Sequence, residues 1–351
     1  MRLINSTVFP AMTFDHWDQD GHEQSVVVLK ATIHRESDGW TWRQEQPPIR
    51  LEDRFGGDPA TSALIEEQEI APRKPATDLT LRAIAHAPGG KPTEDWPVEI
   101  TIPERLTYGF HVRGPSQWRR HLLRGWRHDR PAAVRTVPVE YALAYGGSVS
   151  DDQGTIGTHE YNPAGCGYVT DDLLRVGDPI PAPQIGLLPE LLRQDISTPL
   201  AVQGFSPIAR TWLPRRKRAG TYDEAWLATR HPRLPDDFNP RYWNSAPGPL
   251  QLRPHLKGDE EIRLRNLHPG KPDYYLRLPG VAPRGLLSSD NALIEFTLDT
   301  VMLDIASTME SEHGATLIWR AEFPASDSHE VLQIDMVRLG TRAEQEAGQN
   351  G

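Results

Sequence analysis

"QSVVVLKATIHRE", residues 24–36, decides the class of fold. Successive side chains of an extended strand point to opposite faces. Val27, Leu29, Ala31 and Ile33 therefore share one wholly apolar face, and Val26, Val28, Lys30, Thr32 and His34 share the other. The β-branched residues favour a pleated strand, and the apolar face should meet a core. "GWTW" follows Asp38-Gly39, a turn signal, so a hairpin is expected at 36–42.

The same pattern recurs outward from this stretch. "TDLTLRAIAHAP" (77–88), "PVEITI" (97–102), "YGFHVRG" (108–114) and "VRTVPVEYALAYGG" (134–147) read as strands. So do "EEIRLRNLHP", "DYYLRLPG", "ALIEFTLDTVMLDI", "ATLIWRAEFP" and "VLQIDMVRLG" in the last third. "FGGDPATSALIEEQEIAPRKPAT" reads as a loop around one short helix. Between residues 148 and 257 periodicity fades and Gly/Pro punctuation rises. One helix stands out there: Thr221 and Glu224 form a capping box, Tyr222 and Trp226 share a face, and His231-Pro232 ends it. The expected fold is mainly β (β-rich α+β), with two antiparallel sandwich-like lobes, 1–147 and 258–340. A Pro/Gly/aromatic-rich middle segment with short helices, 148–257, bridges them into one cooperative unit, and 341–351 is a disordered tail.

Composition narrows the function classes. The formal charge of −10 disfavours nucleic acid. The first residues lack the 7–15-residue apolar core of a signal peptide, and runs such as Val26–Leu29 fall far short of the roughly 20 residues of a membrane helix. A cytoplasmic protein with no membrane partner is expected. A single cysteine, Cys166, excludes an internal disulfide and a multi-cysteine zinc site. Prolines number 32 of 351 residues, nearly twice the usual level of about 5%, which predicts short elements joined by stiffened connections.

Motifs for chemistry are weak. Cys166 in "NPAGCGYVTDD" matches no cysteine-hydrolase signature, though a spatial partner such as His159 would permit one. His121 and His128 are seven apart with Gly125 between them, a poor metal spacing. "GCGYVT" is no dinucleotide fingerprint. No catalytic residue, metal or cofactor is assigned. The run Arg215, Arg216, Lys217, Arg218 should pair internally with acids such as Asp223, Glu224, Asp236 and Asp237, or else meet an acidic partner. Trp212, Tyr222, Trp226, Tyr242 and Trp243 lie within 32 residues and read as core aromatics or as an interface cluster.

Several blocks carry a family resemblance. "KATIHR", "TDLTLRAIAHAPGGKPTEDWPVEITI", "VEYALAYGG", "EYNPAGCGY", "GTYDEAWLATRHPRLPDDFNPRYWNSAP" and "LKGDEEIRLRNLHP" occur in the order of a bacterial family catalogued as domain of unknown function no. 2169. The match covers roughly 20–325 and resembles the effector adaptors, or chaperones, of type VI secretion clusters. That resemblance implies a cytoplasmic protein that binds a toxic effector, often PAAR- or Rhs-linked, and loads it onto spike components of the VgrG/PAAR type. It brings no catalytic residues. Residues 205–270 are then expected to form a proline-braced, aromatic layer, part packing the lobes and part receiving the effector. Trp212, Arg215, Arg216, Tyr222, Trp226, Tyr242 and Trp243 are its candidate partner-binding residues. The alternatives are a hydrolase using Cys166 with a histidine, and a β-module that binds carbohydrate through surface tryptophans.

Overall fold

The structure is a computed structural model that describes residues 1–36, 39–151, 154–325 and 330–339. The protein is mainly β. The stretch at 24–36 lies in the strand Glu23–Glu36, deep inside the largest sheet. That sheet runs Ala11–Trp17, Glu23–Glu36, Gly314–Pro324, Thr297–Asp304, Thr77–Arg82 and Gln251–Leu252, with Gly39–Trp42 pairing beside Glu23–Glu36. The predicted hairpin is thus formed; Asp38 of its turn lies outside the described residues. A second sheet runs Ile185–Gly186, Leu106–Arg113, Asp95–Ile102, Glu261–Arg265 and Asp273–Arg277. A third joins Arg2–Asn5, Val331–Arg338, Val281–Leu287 and Leu293–Glu295.

The two ends of the chain share these sheets. Each of the two larger sheets takes strands from 1–147 and from 258–340, and a short strand from between them. One buried cluster runs from Val27 and Leu79 through Val98, Phe205 and Ile262 to Trp319 and Ile334. Pairing is not wholly antiparallel: Thr297–Asp304 lies parallel to Thr77–Arg82, and Arg2–Asn5 parallel to Val331–Arg338.

Both faces of Glu23–Glu36 are buried. Val27, Leu29, Ala31 and Ile33 enter the main core as expected. On the other face Val26 and Val28 pack with Ile318, Phe14 and Ile49. Lys30, only 2% exposed, pairs with Glu69 at 2.7 Å and donates to the Pro48 carbonyl at 3.0 Å. The predicted short helix after Phe55 is instead a small hairpin of Arg54–Phe55 and Leu64–Glu66. Extended backbone lets its acids reach different partners: Glu66 meets Arg50 and Arg54, and beyond it Glu67 meets Lys74 and Glu69 meets Lys30. The tail 341–351 lies outside the described residues.

Candidate functional site

The middle segment is locked to the sheets by buried charge. Asp78, on the strand Thr77–Arg82, is fully buried. Its carboxylate accepts from Asn244 Nδ2 (2.9 Å), the Ser245 amide (2.8 Å) and the Ala246 amide (3.2 Å), and pairs with Lys74 at 2.8 Å. Asn244 Nδ2 also donates to the Ala76 carbonyl at 2.8 Å. "WNSAP" is therefore a clamp on a sheet carboxylate, with donors supplied where a buried charge requires them. Next to it, Glu67 meets Lys74 at 3.0 Å and Arg215 at 2.7 Å. Burial alone would raise the Glu67 pKa, but Lys74, Arg215 and Arg210 hold it down at about 2. Arg215 also donates to the carbonyls of Tyr242 (3.0 Å) and Ile208 (2.8 Å).

The candidate residues divide accordingly. Trp212 is 2% exposed and sets its ring edge-on to Tyr141, centroids 5.3 Å apart. Arg215 is equally buried, and lies 5.7 Å from the Tyr242 ring. Half-buried Tyr242 and Trp243 pack on each other and on Phe238, and Arg210 lies over Trp243 at 5.5 Å. The structure thus gathers Trp212, Arg215, Tyr242 and Trp243 into one packed layer. Arg216 is at the surface with Glu160 at 2.5 Å. Tyr222 and Trp226 form their own outer pair, 4.7 Å apart with planes at 71°. The helix that carries Trp226 spans Glu224–Thr229 and is capped by Asp223, not Thr221. Thr221 instead donates its hydroxyl to Asp237 at 2.8 Å. Of the basic run, Arg215 and Arg216 are paired internally, but with Glu67 and Glu160 rather than the acids nearby in sequence, while Arg218 donates to the Arg241 carbonyl.

Beside this layer opens a cleft of about 470 Å³ that sequence reading missed. Its walls include Tyr108, Tyr141, His159, Tyr161, Val202, Ile208, Pro214, Pro247 and Pro249, and no lining residue is charged. The Tyr108 hydroxyl bonds Gln203 Oε1 at 3.0 Å, and burial pushes its pKa up to about 12. The Tyr141 hydroxyl donates to the Ser206 carbonyl at 3.1 Å, and burial pushes it well above the usual tyrosine range. Burial also lowers the His159 pKa, which favours the neutral imidazole. One wall, 199–203, forms neither helix nor strand; among the described residues the Val202 and Gln203 amides make no hydrogen bond. Lys217 stands over the Tyr161 ring at 5.8 Å. The only sequence signal was "STPLAVQGFSPIAR", an apolar, proline-flanked run without period.

Cys166 sits on a two-residue strand beside Tyr145, and burial pushes its thiol up to about 11. His128 shares a hydrogen bond with Ser116 at 3.0 Å, away from His121 on the opposite face of its hairpin. Asp18, Asp20 and His22 bring potential ligand atoms within 4.8 Å of one another, but Asp18 already accepts the amides of Asp20 and His22 to close its own turn.

The architecture is that of a mainly β protein with an uncharged, aromatic- and proline-walled cleft braced by buried ion pairs. Residues 20–320 match the family described as "Uncharacterized protein conserved in bacteria (DUF2169)", and the chain belongs to that family. No curated protein and no solved structure matches it. Among the described residues no helix is long and apolar enough to cross a membrane.

Proposed function

We propose that the protein is an adaptor of bacterial type VI secretion. It holds a cognate toxic effector, PAAR- or Rhs-linked, in the cytoplasm, keeps it soluble and passes it to spike components of the VgrG/PAAR type. The sequence blocks quoted above supply the partner class. The observation that carries the reading is the cleft itself, apolar, uncharged and bounded by the Val202 and Gln203 backbone, whose amides have no hydrogen-bond partner among the described residues. An effector segment bonds the Val202 and Gln203 amides and lays apolar side chains against Tyr141, Tyr161 and Ile208, in the manner of strand addition. The walls are fixed before binding by the tyrosine hydrogen bonds and by Pro214, Pro247 and Pro249, so little ordering entropy opposes association.

Binding is favoured over hydrolysis because a thiol with a pKa of about 11 is protonated at neutral pH, and the thiolate is the nucleophile. It is favoured over a carbohydrate platform because Tyr222 and Trp226 meet edge-on rather than lying flat together. The test is co-expression with the toxin encoded beside its gene, followed by size exclusion. A stoichiometric complex, with toxin that aggregates when the adaptor is omitted, supports the reading. A soluble toxin that never co-elutes overturns it.

A further inference from the structure

The hairpin Gln117–His121 and Gly125–His128 is a strongly basic feature of an acidic chain. Residues 117–130 hold Arg119, Arg120, Arg124, Arg127 and Arg130 against the single acid Asp129, a local balance of +4 in a protein of −10. The base of the hairpin is anchored. Gln117 and Trp118 pair with Pro181 and Ile180, and Trp118 is buried with Ile180, Ala182 and Ile196. Beyond that base the finger stands in solvent: Leu122 and Leu123, consecutive at its tip, are 105% and 98% exposed. Single exposed leucines are ordinary, but two together at an apex are not.

The register adds a second observation. Arg119 lies directly opposite Arg127, and like charges so placed repel across a strand pair. Asp129 offsets Arg119, but the Arg127 guanidinium bonds only the Trp126 carbonyl, and Arg124 forms no ion pair among the described residues. Arg130 is paired with Glu94, so among the described residues Arg124 and Arg127 are the finger's arginines that hold charge without an opposing carboxylate.

We propose that this hairpin is a membrane-contact finger, which seats Leu122 and Leu123 in the surface of an anionic bilayer with Arg124 and Arg127 against lipid phosphates. Three features favour a bilayer over a protein partner. The apolar group is a convex tip, to which a fluid surface conforms without needing a matching pocket. At roughly 3.4 Å per strand residue, Arg119 and Arg127 sit about 10 Å behind the tip, at headgroup depth when the leucines reach the acyl boundary. The acidic remainder of the molecule is repelled by such a surface, which fixes the finger as the approaching pole. This inference stands apart from the adaptor reading.

The test is flotation of the whole protein with phosphatidylglycerol/phosphatidylethanolamine vesicles and with phosphatidylcholine vesicles. Binding to the anionic vesicles alone is expected, weakening in 0.5 M salt. It should fall at least about tenfold in Leu122→Ser/Leu123→Ser and in Arg124→Gln/Arg127→Gln. Melting profiles should not change, because these side chains are exposed. Failure to float with anionic vesicles, or equal flotation of wild type and variants, overturns the proposal. Absent flotation combined with loss of effector co-elution in the variants would reassign the finger to a protein partner and leave the adaptor reading intact.

Discussion

Arg215 and Arg216 are adjacent in sequence and opposite in consequence. Arg215→Ala removes a guanidinium that is 1% exposed, pairs with Glu67 at 2.7 Å and satisfies the carbonyls of Tyr242 and Ile208. Glu67 keeps Lys74 at 3.0 Å and Arg210 at 3.8 Å, but loses its closest cation in the middle segment. Breaking a buried pair by deleting one partner costs about 3–5 kcal/mol, a large share of a total stability of about 5–15 kcal/mol. The Arg216–Glu160 pair is exposed, with side chains 51% and 54% accessible, so Arg216→Ala should cost at most about 1 kcal/mol. Urea unfolding followed by tryptophan fluorescence reads both. Arg215→Lys should fall between them, keeping the charge and losing the fork that reaches two carbonyls. An Arg215→Ala protein within about 1 kcal/mol of wild type, or an equal loss in Arg216→Ala, would refute the clamp.

Three further outcomes follow from the same geometry. Trp212→Ala, which empties a buried site against Tyr141, should destabilise by about 3–5 kcal/mol, whereas Trp226→Ala, half-exposed and bonded to the Arg233 carbonyl, should cost about 1 kcal/mol in the same urea series; the reverse order would contradict the packing described. Burial lowers the pKa of His86, His159 and His268, and burial with the Arg113 guanidinium lowers His128 to about 4. The unfolded chain then binds more protons, so stability is lost as pH falls from 6.5 toward 4, by about 1 kcal/mol at pH 5 for partly solvated His128. His16, raised by its hydrogen bond to Glu322, opposes this, and its contribution fades as pH rises above 6.5. A urea midpoint no lower at pH 5.0 than at pH 7.5 would be inconsistent with four net destabilising histidines. Tyr161→Ala, at a 44% exposed wall of the cleft, should weaken effector binding roughly tenfold in calorimetric titration with an unchanged melting profile.

The strands were legible because Val, Ile and Thr runs such as 24–36 and 314–324 carry their period locally. Their partners were not. Nothing near residue 78 announces that its strand will lie parallel to Thr297–Asp304, because that pairing is fixed by contacts more than 200 residues away in sequence. The cap of the Glu224–Thr229 helix, expected at Thr221 and found at Asp223, was misplaced for a similar reason. Thr221 and Asp223 are both good acceptors, and Asp237 engages the Thr221 hydroxyl. Internal pairing of Arg215 and Arg216 was legible in kind but not in identity, since Glu67 and Glu160 are far away in sequence. The cleft was invisible because Tyr108, Tyr141, Tyr161 and Ile208 come from four separate segments. The finger was hidden by its own composition, because Leu122-Leu123 in sequence looks like core and only the structure places it at an apex.

The adaptor reading meets its most direct test in purified complex formation. The protein and the toxin encoded beside its gene are co-expressed, separated by size exclusion and weighed by light scattering, with wild type and Tyr161→Ala run in parallel. A single peak of defined stoichiometry, diminished in the variant while its melting profile holds, is the predicted result. A toxin that stays soluble alone and elutes apart from the protein at every concentration would contradict the account.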